Sequence, residues 1–269
     1  MKNTDQLIKT NLLISFRSSI QEYELPERFT YPFHYTPHPL CLLAAKELQE
    51  HLQQQQVWKH NFGLAHDQQG PVIGKMFGVL LVKNQDQEIG YLAAFSGKLA
   101  GGVHHDPFVP PVYDMLSENS FLNLGMQELS RINQEIATLT TIHSKEALHR
   151  VRELKELRKK NSFQLQNKIF DEFHFLNQAG ETKSLRIIFQ NNANGSPASG
   201  AGECAAPKLL QYAFLHKLQP LAMAEFWWGQ SPKTESWKHG EFYPACREKC
   251  APILQYMLDG IELEEPPQH

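Results

Sequence analysis

Residues 199–257 read SGAGECAAPKLLQYAFLHKLQPLAMAEFWWGQSPKTESWKHGEFYPACREKCAPILQYM, and they hold three of the four cysteines and three of the four tryptophans of the chain. Gly200-Ala201-Gly202 leads into a helix that starts at Cys204, an apolar strand follows over 220–228, and Pro244 precedes a second helix opened by Cys246 and Cys250. This is the most strongly patterned helix–strand–helix of the sequence, and it calls for a sheet flanked by helices. Thiols at helix N-termini meet unpaired backbone N–H groups and the positive end of the helix dipole, which favours the thiolate and hence metal binding. Cys246 and Cys250, four residues apart, share one helical face and can reach one ion. The pair alone reads equally well as a capped, buried helix start. Cys204 at a matching helix start moves the set toward a zinc site.

Working outward, residues 190–202 form a polar Gly/Ser/Asn/Pro loop, and KSLRIIF (183–189) has strand character. Residues 74–97 predict a hairpin: MFGVLLV as a buried strand, Asn84-Gln85-Asp86-Gln87 as the turn, and IGYLAAF as the return. The following loop with His104, His105 and Asp106 reads as solvated, because adjacent side chains diverge. Beyond that loop, residues 115–176 are strongly helical. Leu129, Ile132, Ile136 and Leu139 repeat at a–d spacing, and Ser144 is placed to cap a second arm that continues with Leu148, Val151 and Leu154. The expectation is an antiparallel, coiled-coil-like helical hairpin projecting from the globular part.

That second arm, 145–168, carries eight Lys/Arg against three Glu, a local +5 on a chain of net charge −3. Clustered cations of this kind bind RNA phosphates with release of counterions. Glu146, Glu153 and Glu156 also support helix-stabilising pairs, so a solvated charged face competes with the RNA reading. The candidate RNA contacts on the arm are Arg150, Arg152, Lys155, Arg158, Lys159 and Lys160. Trp228, Lys208 and Arg247 join them: Trp227 and Trp228 point to opposite faces of a strand, so one is free to stack on a base unless both faces are covered.

Toward the N-terminus, residues 40–56 are helical, with Leu43, Leu48 and Leu52 on one side and Cys41 in the first turn. All four cysteines thus fall at helix starts. Cys41 is a candidate fourth thiolate, or equally a small buried hydrophobe, and His239 is another candidate fourth ligand. Residues 1–36 begin with a short amphipathic segment and continue as a Pro-restricted extended wrap.

The fold class expected is α+β or α/β: a mixed sheet flanked by helices, with the helical hairpin inserted between the second and third strands. The divisions are 1–113 and 178–262 as the two parts of the α/β domain, 114–177 as the insertion, and 263–269 (LEEPPQH) as a tail or the start of a linker to a further domain. A content of 41% hydrophobic and 20% charged residues describes an ordinary globular chain, and the balanced charge leaves nucleic-acid binding to a local patch. No run approaches the ~18 apolar residues of a membrane span. Four cysteines without a secretion signal favour thiols or a metal over disulfides, and the expected location is the cytoplasm.

Two resemblances add to this reading. The runs GAGECAAPKLLQYAF, PLAMAEFWWG and HGEFYPACREKCAPIL, together with GKMFGVLLV, IGYLAAFSGKL and PHPLC, resemble the N-terminal region of long bacterial pseudouridine synthases of the RluA family. The resemblance implies an accessory region of an RNA-modifying isomerase, with ribosomal or transfer RNA and the synthase catalytic domain as partners. The family's HRLD-type catalytic segment is missing; the nearest string is His149-Arg150-Val151-Arg152, and no catalytic residue carries over. In layout alone, the element order is similar to that of zinc-dependent nucleoside deaminases, where a Glu two residues after the first ligand moves the proton. Ala206 stands at that position, and three residues rather than two separate Cys246 from Cys250. Glu203 and Glu225 are the nearby acids, and a structural or degenerate zinc site is preferred to an active deaminase. A coiled-coil scaffold that dimerises through the arm is a third reading.

Overall fold

A continuous apolar run, MFGVLLV between Lys75 and Lys83, lies within the sheet because it is covered on both sides. The computed structural model describes residues 12–65, 69–116, 121–190, 195–234 and 236–266. The amphipathic start expected around Leu7 and Ile8, part of the 190–202 loop and the last three residues of the tail lie outside them. In chain order the elements are α1 (Pro39–Gln54), β1 (Lys75–Lys83), β2 (Ile89–Phe95), α2 (Phe121–Thr140), α3 (Lys145–Glu172), β3 (His174–Leu176) and β4 (Thr182–Ser184). They continue with α4 (Leu185–Phe189), α5 (Ala205–Leu215), β5 (Gln219–Trp228), β6 (Phe242–Tyr243) and α6 (Arg247–Met257).

By contact density the chain divides into two compact units, Met1–Val112 with Phe175–Thr182 and Ala198–His269, and Tyr113–His174 with Lys183–Pro197. The first unit holds a four-stranded sheet of order β2-β1-β5-β6. Every pairing in it is antiparallel, with Phe77 opposite Phe95, Gly78 opposite Glu225, and Glu225 opposite Tyr243. The expected mixed sheet is therefore an antiparallel one, and the architecture is α+β.

One face of this sheet (Phe77, Val79, Leu81, Tyr91, Ala93, Phe95, Ala224, Phe226, Trp228) joins Leu40, Cys41, Ala44, Ala45 and Leu48 of α1 in a single apolar cluster. Pro39 opens α1, and His38 Nδ1 accepts the Leu40 N–H at 3.2 Å. The opposite face belongs to α5. It comes so close to β1 that a Cβ at Gly78 would sit 3.0 Å from Ala205 Cβ and 3.1 Å from Leu209 Cδ1. A glycine inside a strand marks this kind of close approach. Trp227 and Trp228 are both buried despite pointing apart: Trp228 joins the α1 cluster, and Trp227 packs on Trp237 at 4.7 Å and against Gly74.

In the second unit, α2 and α3 run antiparallel: Gly125 faces Leu165, Asn133 Oδ1 accepts from Arg158 Nη1 at 3.1 Å, and Glu135 pairs with Arg150 at 3.2 Å. Ser144 caps α3 by accepting the Ala147 N–H at 3.1 Å. Of the predicted seam on α2, Ile132 is fully buried, while Leu129, Ile136 and Leu139 are half-buried. The strand expected over 183–189 is confined to Lys183 and Ser184, the end of β4. Ser184 Oγ accepts the Ile187 N–H, and residues 185–189 turn into the short helix α4. A local cap here overrides the β preference of Ile187 and Ile188.

Candidate metal centre and basic surface

Helix α5 packs on the sheet and α6 packs on α5, and the N-termini of the two helices converge. Cys204 is the N-cap of α5 and Cys246 the N-cap of α6, with Cys250 in the first turn above it. The three sulfurs lie within 4.8 Å of one another. Cys246 Sγ and Cys250 Sγ are 3.9 Å apart, close to the ~3.8 Å edge of a tetrahedron built on zinc–sulfur bonds of about 2.3 Å. The donor set and its spacing therefore fit a thiolate-preferring ion such as zinc.

The electrostatics favour charge on the outermost sulfur. Hydrogen bonds from the Cys204 and Cys250 thiols, then the Lys249 N–H at 3.4 Å, hold the Cys246 sulfur far below the ordinary thiol range. The Cys204 and Cys250 thiols are pushed up, chiefly because each shares its proton with a neighbouring sulfur, and further by burial. Cys246 is exposed, Cys204 half-buried and Cys250 buried, so the cluster opens to solvent on the Cys246 side.

Beneath the cluster lies Glu225 of β5. Its side chain is enclosed, and Oε1 accepts the Ala206 N–H at 3.2 Å. Burial pushes its carboxyl up to about 7; the Ala206 N–H opposes this and the Cys246 charge adds to it. Its backbone N–H donates to Tyr35 Oη at 3.0 Å, and Tyr35 donates to the Tyr243 carbonyl at 3.0 Å. Among the described residues no fourth ligand atom joins the three sulfurs within the same distance of all of them. Glu225 thus reaches position 206 from β5, through the N–H of Ala206.

Cys41 is not part of this cluster. It is fully buried in the α1 cluster on the other face of the sheet, where burial pushes its thiol up to about 12. His239 is also elsewhere: Nδ1 accepts the Gly229 N–H at 3.1 Å and the ring packs on Trp228 at 4.3 Å.

Two of the expected RNA contacts are interior. Trp228 is 3% exposed and cannot offer a stacking face. Lys208 is equally buried; its ammonium donates to the Phe95 and Gly97 carbonyls at 2.8 and 3.3 Å, and burial pushes it down to about 8. Arg247 is exposed, with its guanidinium 5.6 Å from the centre of the Phe33 ring. On α3, Arg150 is committed to Glu135 and Glu153 and Arg158 to Asn133. Arg152, Lys155, Lys159 and Lys160 are exposed, and no ion pair engages them among the described residues. The sequence reading left one further surface residue unassigned: Phe163, four positions beyond Lys159 and 62% exposed. Its helical spacing from the lysine was the available signal. Comparison of the chain with family models, with curated proteins and with solved structures gives no match.

Proposed function

We propose that the chain is an RNA-associated accessory domain of an RluA-type pseudouridine synthase, with zinc held by Cys204, Cys246 and Cys250 and an RNA contact on the coiled-coil-like arm of α2 and α3. The observation that carries the RNA reading is the set of exposed cations Arg152, Lys155, Lys159 and Lys160, which no ion pair engages among the described residues, on a chain of net charge −3. Phosphate oxygens satisfy such cations, and their affinity falls steeply with salt. The zinc ion serves as a clamp: it fixes two helix starts that local sequence alone leaves separate, at the edge of a sheet whose core is otherwise apolar. Measuring RNA binding against salt tests the reading. Reversing Arg152, Lys155 and Lys159 to Glu is expected to weaken binding and to flatten the logarithmic salt dependence by about three. Binding that ignores the reversal defeats it.

Glu225 favours a second reading, a deaminase-like hydrolytic site acting on a nucleoside or base. Bound there, zinc would supply a polarised water, and Glu225 is the side chain available to hold a proton beside it. This reading requires metal-dependent release of ammonia from cytidine, adenosine or RNA, lost in Glu225→Gln while metal content is kept. Metal-loaded wild-type protein with no such activity excludes it.

A further inference from the structure

Resting on the RNA-associated reading, we infer that α3 takes an unpaired RNA strand, with phosphates along one stripe of the helix and a base stacked on Phe163. Lys145, Arg152, Lys155 and Lys159 recur at seven, three and four residues, which places them on one line of the helix. Phe163 extends the line by four more residues. From Lys145 to Lys159 the stripe spans about 21 Å at ~1.5 Å per residue, the reach of a few nucleotides of extended backbone. This line is distinct from the one buried against α2, which runs through Ala147, Val151 and Leu154.

Two observations distinguish the occupant. The stripe carries four cations and one flanking carboxylate, Glu156, so a polyanion matches it in charge. In line with those cations stands a phenyl ring 62% exposed and without a ring partner among the described residues. A duplex hides its base faces inside the stack, and a phosphate ladder alone gives an exposed Phe nothing to contact. Unpaired RNA presents both phosphates and open base faces, and aromatic stacking is sequence-tolerant because every base has one. Leu148, 58% exposed on the same side, adds apolar area at the other end of the stripe.

The test is fluorescence anisotropy of the whole chain with two labelled probes, a single-stranded oligouridylate of about 12 nucleotides and an RNA duplex of equal length, at low salt. Phe163→Ala is expected to weaken the single-stranded probe by about five- to a hundredfold while leaving duplex affinity unchanged, and Phe163→Tyr is expected to restore it. Unchanged single-strand affinity in Phe163→Ala, or a wild-type preference for the duplex, overturns the inference while leaving RNA association standing. Binding of neither probe removes both. A surface that instead captures an acidic helical peptide with higher affinity than either RNA also overturns it. Circular dichroism of each variant checks that the exposed substitutions leave helix content intact.

Discussion

Glu225→Gln should remove from the first unit one contribution to stability that is lost as pH rises from 4.5 to about 7. The carboxyl sits at 4% exposure between β1, β5 and α5, and burial is the main reason it moves from 4.5 to about 7. Below the unfolded value both states are protonated and the group contributes no penalty. Between 4.5 and about 7 the unfolded chain releases its proton and the folded one keeps it, so stability falls as pH rises, and the loss is complete above the folded value. A displacement of that size corresponds to roughly 3 kcal/mol. Glutamine retains the volume and an oxygen for the Ala206 N–H, but it has no proton to lose. Urea unfolding of chelator-treated protein, followed by tryptophan fluorescence, is the assay. Trp58, Trp227, Trp228 and Trp237 all belong to the unit that contains Glu225. The variant and wild type should match near pH 4 and diverge by roughly 3 kcal/mol near pH 8, with the variant more stable. Parallel profiles across that interval would refute the burial argument, because they would mean that Glu225 reaches water in the folded state.

Protein purified without a metal-affinity tag should contain one zinc per chain, lost in Cys204→Ser and retained in Cys41→Ser, as read by elemental analysis. Zinc at a thousandfold excess over its dissociation constant should raise the stability of the same unit by roughly 4 kcal/mol, with no gain in Cys204→Ser. Lys208→Ala should cost about 1–3 kcal/mol in urea unfolding, because the Phe95 and Gly97 carbonyls lose a buried donor. Gly229→Ala should destabilise by about 3 kcal/mol or more: φ is +111° there, and a Cβ would lie 2.7 Å from the Phe62 carbonyl oxygen and 2.9 Å from Gly74 Cα, both backbone. A melting temperature within a degree or two of wild type would show that this junction yields.

What was legible in the sequence follows the range of the forces involved. The hairpin of β1 and β2 and the long strand β5 were readable because continuous apolar runs between turn residues have few alternatives, and Asn84 closes the turn as expected by accepting the Glu88 N–H through Oδ1 at 2.8 Å. Helix α1 was readable from its spacing and from the prolines before it. Strand direction was not, since a sheet covered on both faces has the same apolar runs whether its strands run parallel or antiparallel. Residues 185–189 were misread for the opposite reason: five residues are too few for periodicity to outweigh two isoleucines, and one hydroxyl at Ser184 decides the outcome.

The cysteines separate local from non-local information most sharply. All four occupy helix starts, as their neighbours in sequence require, yet three converge and the fourth does not. The difference is the side of the sheet on which each helix packs. Helix α1 covers the face of Phe77, Val79 and Leu81, whereas α5 covers the face of Gly78, and no residue near Cys41 encodes that choice. Position 225 shows the same principle. Strand alternation sends Glu225 to the face opposite Phe226, which is the face of α5, and antiparallel register then places it against Gly78, where the missing side chain leaves room for a carboxylate beside Ala206. A larger residue at position 78 would drive α5 away from the sheet and move Cys204 from the other two sulfurs. The glycine in the middle of a strand, 126 positions before Cys204, therefore helps to set the geometry of the three-thiol cluster.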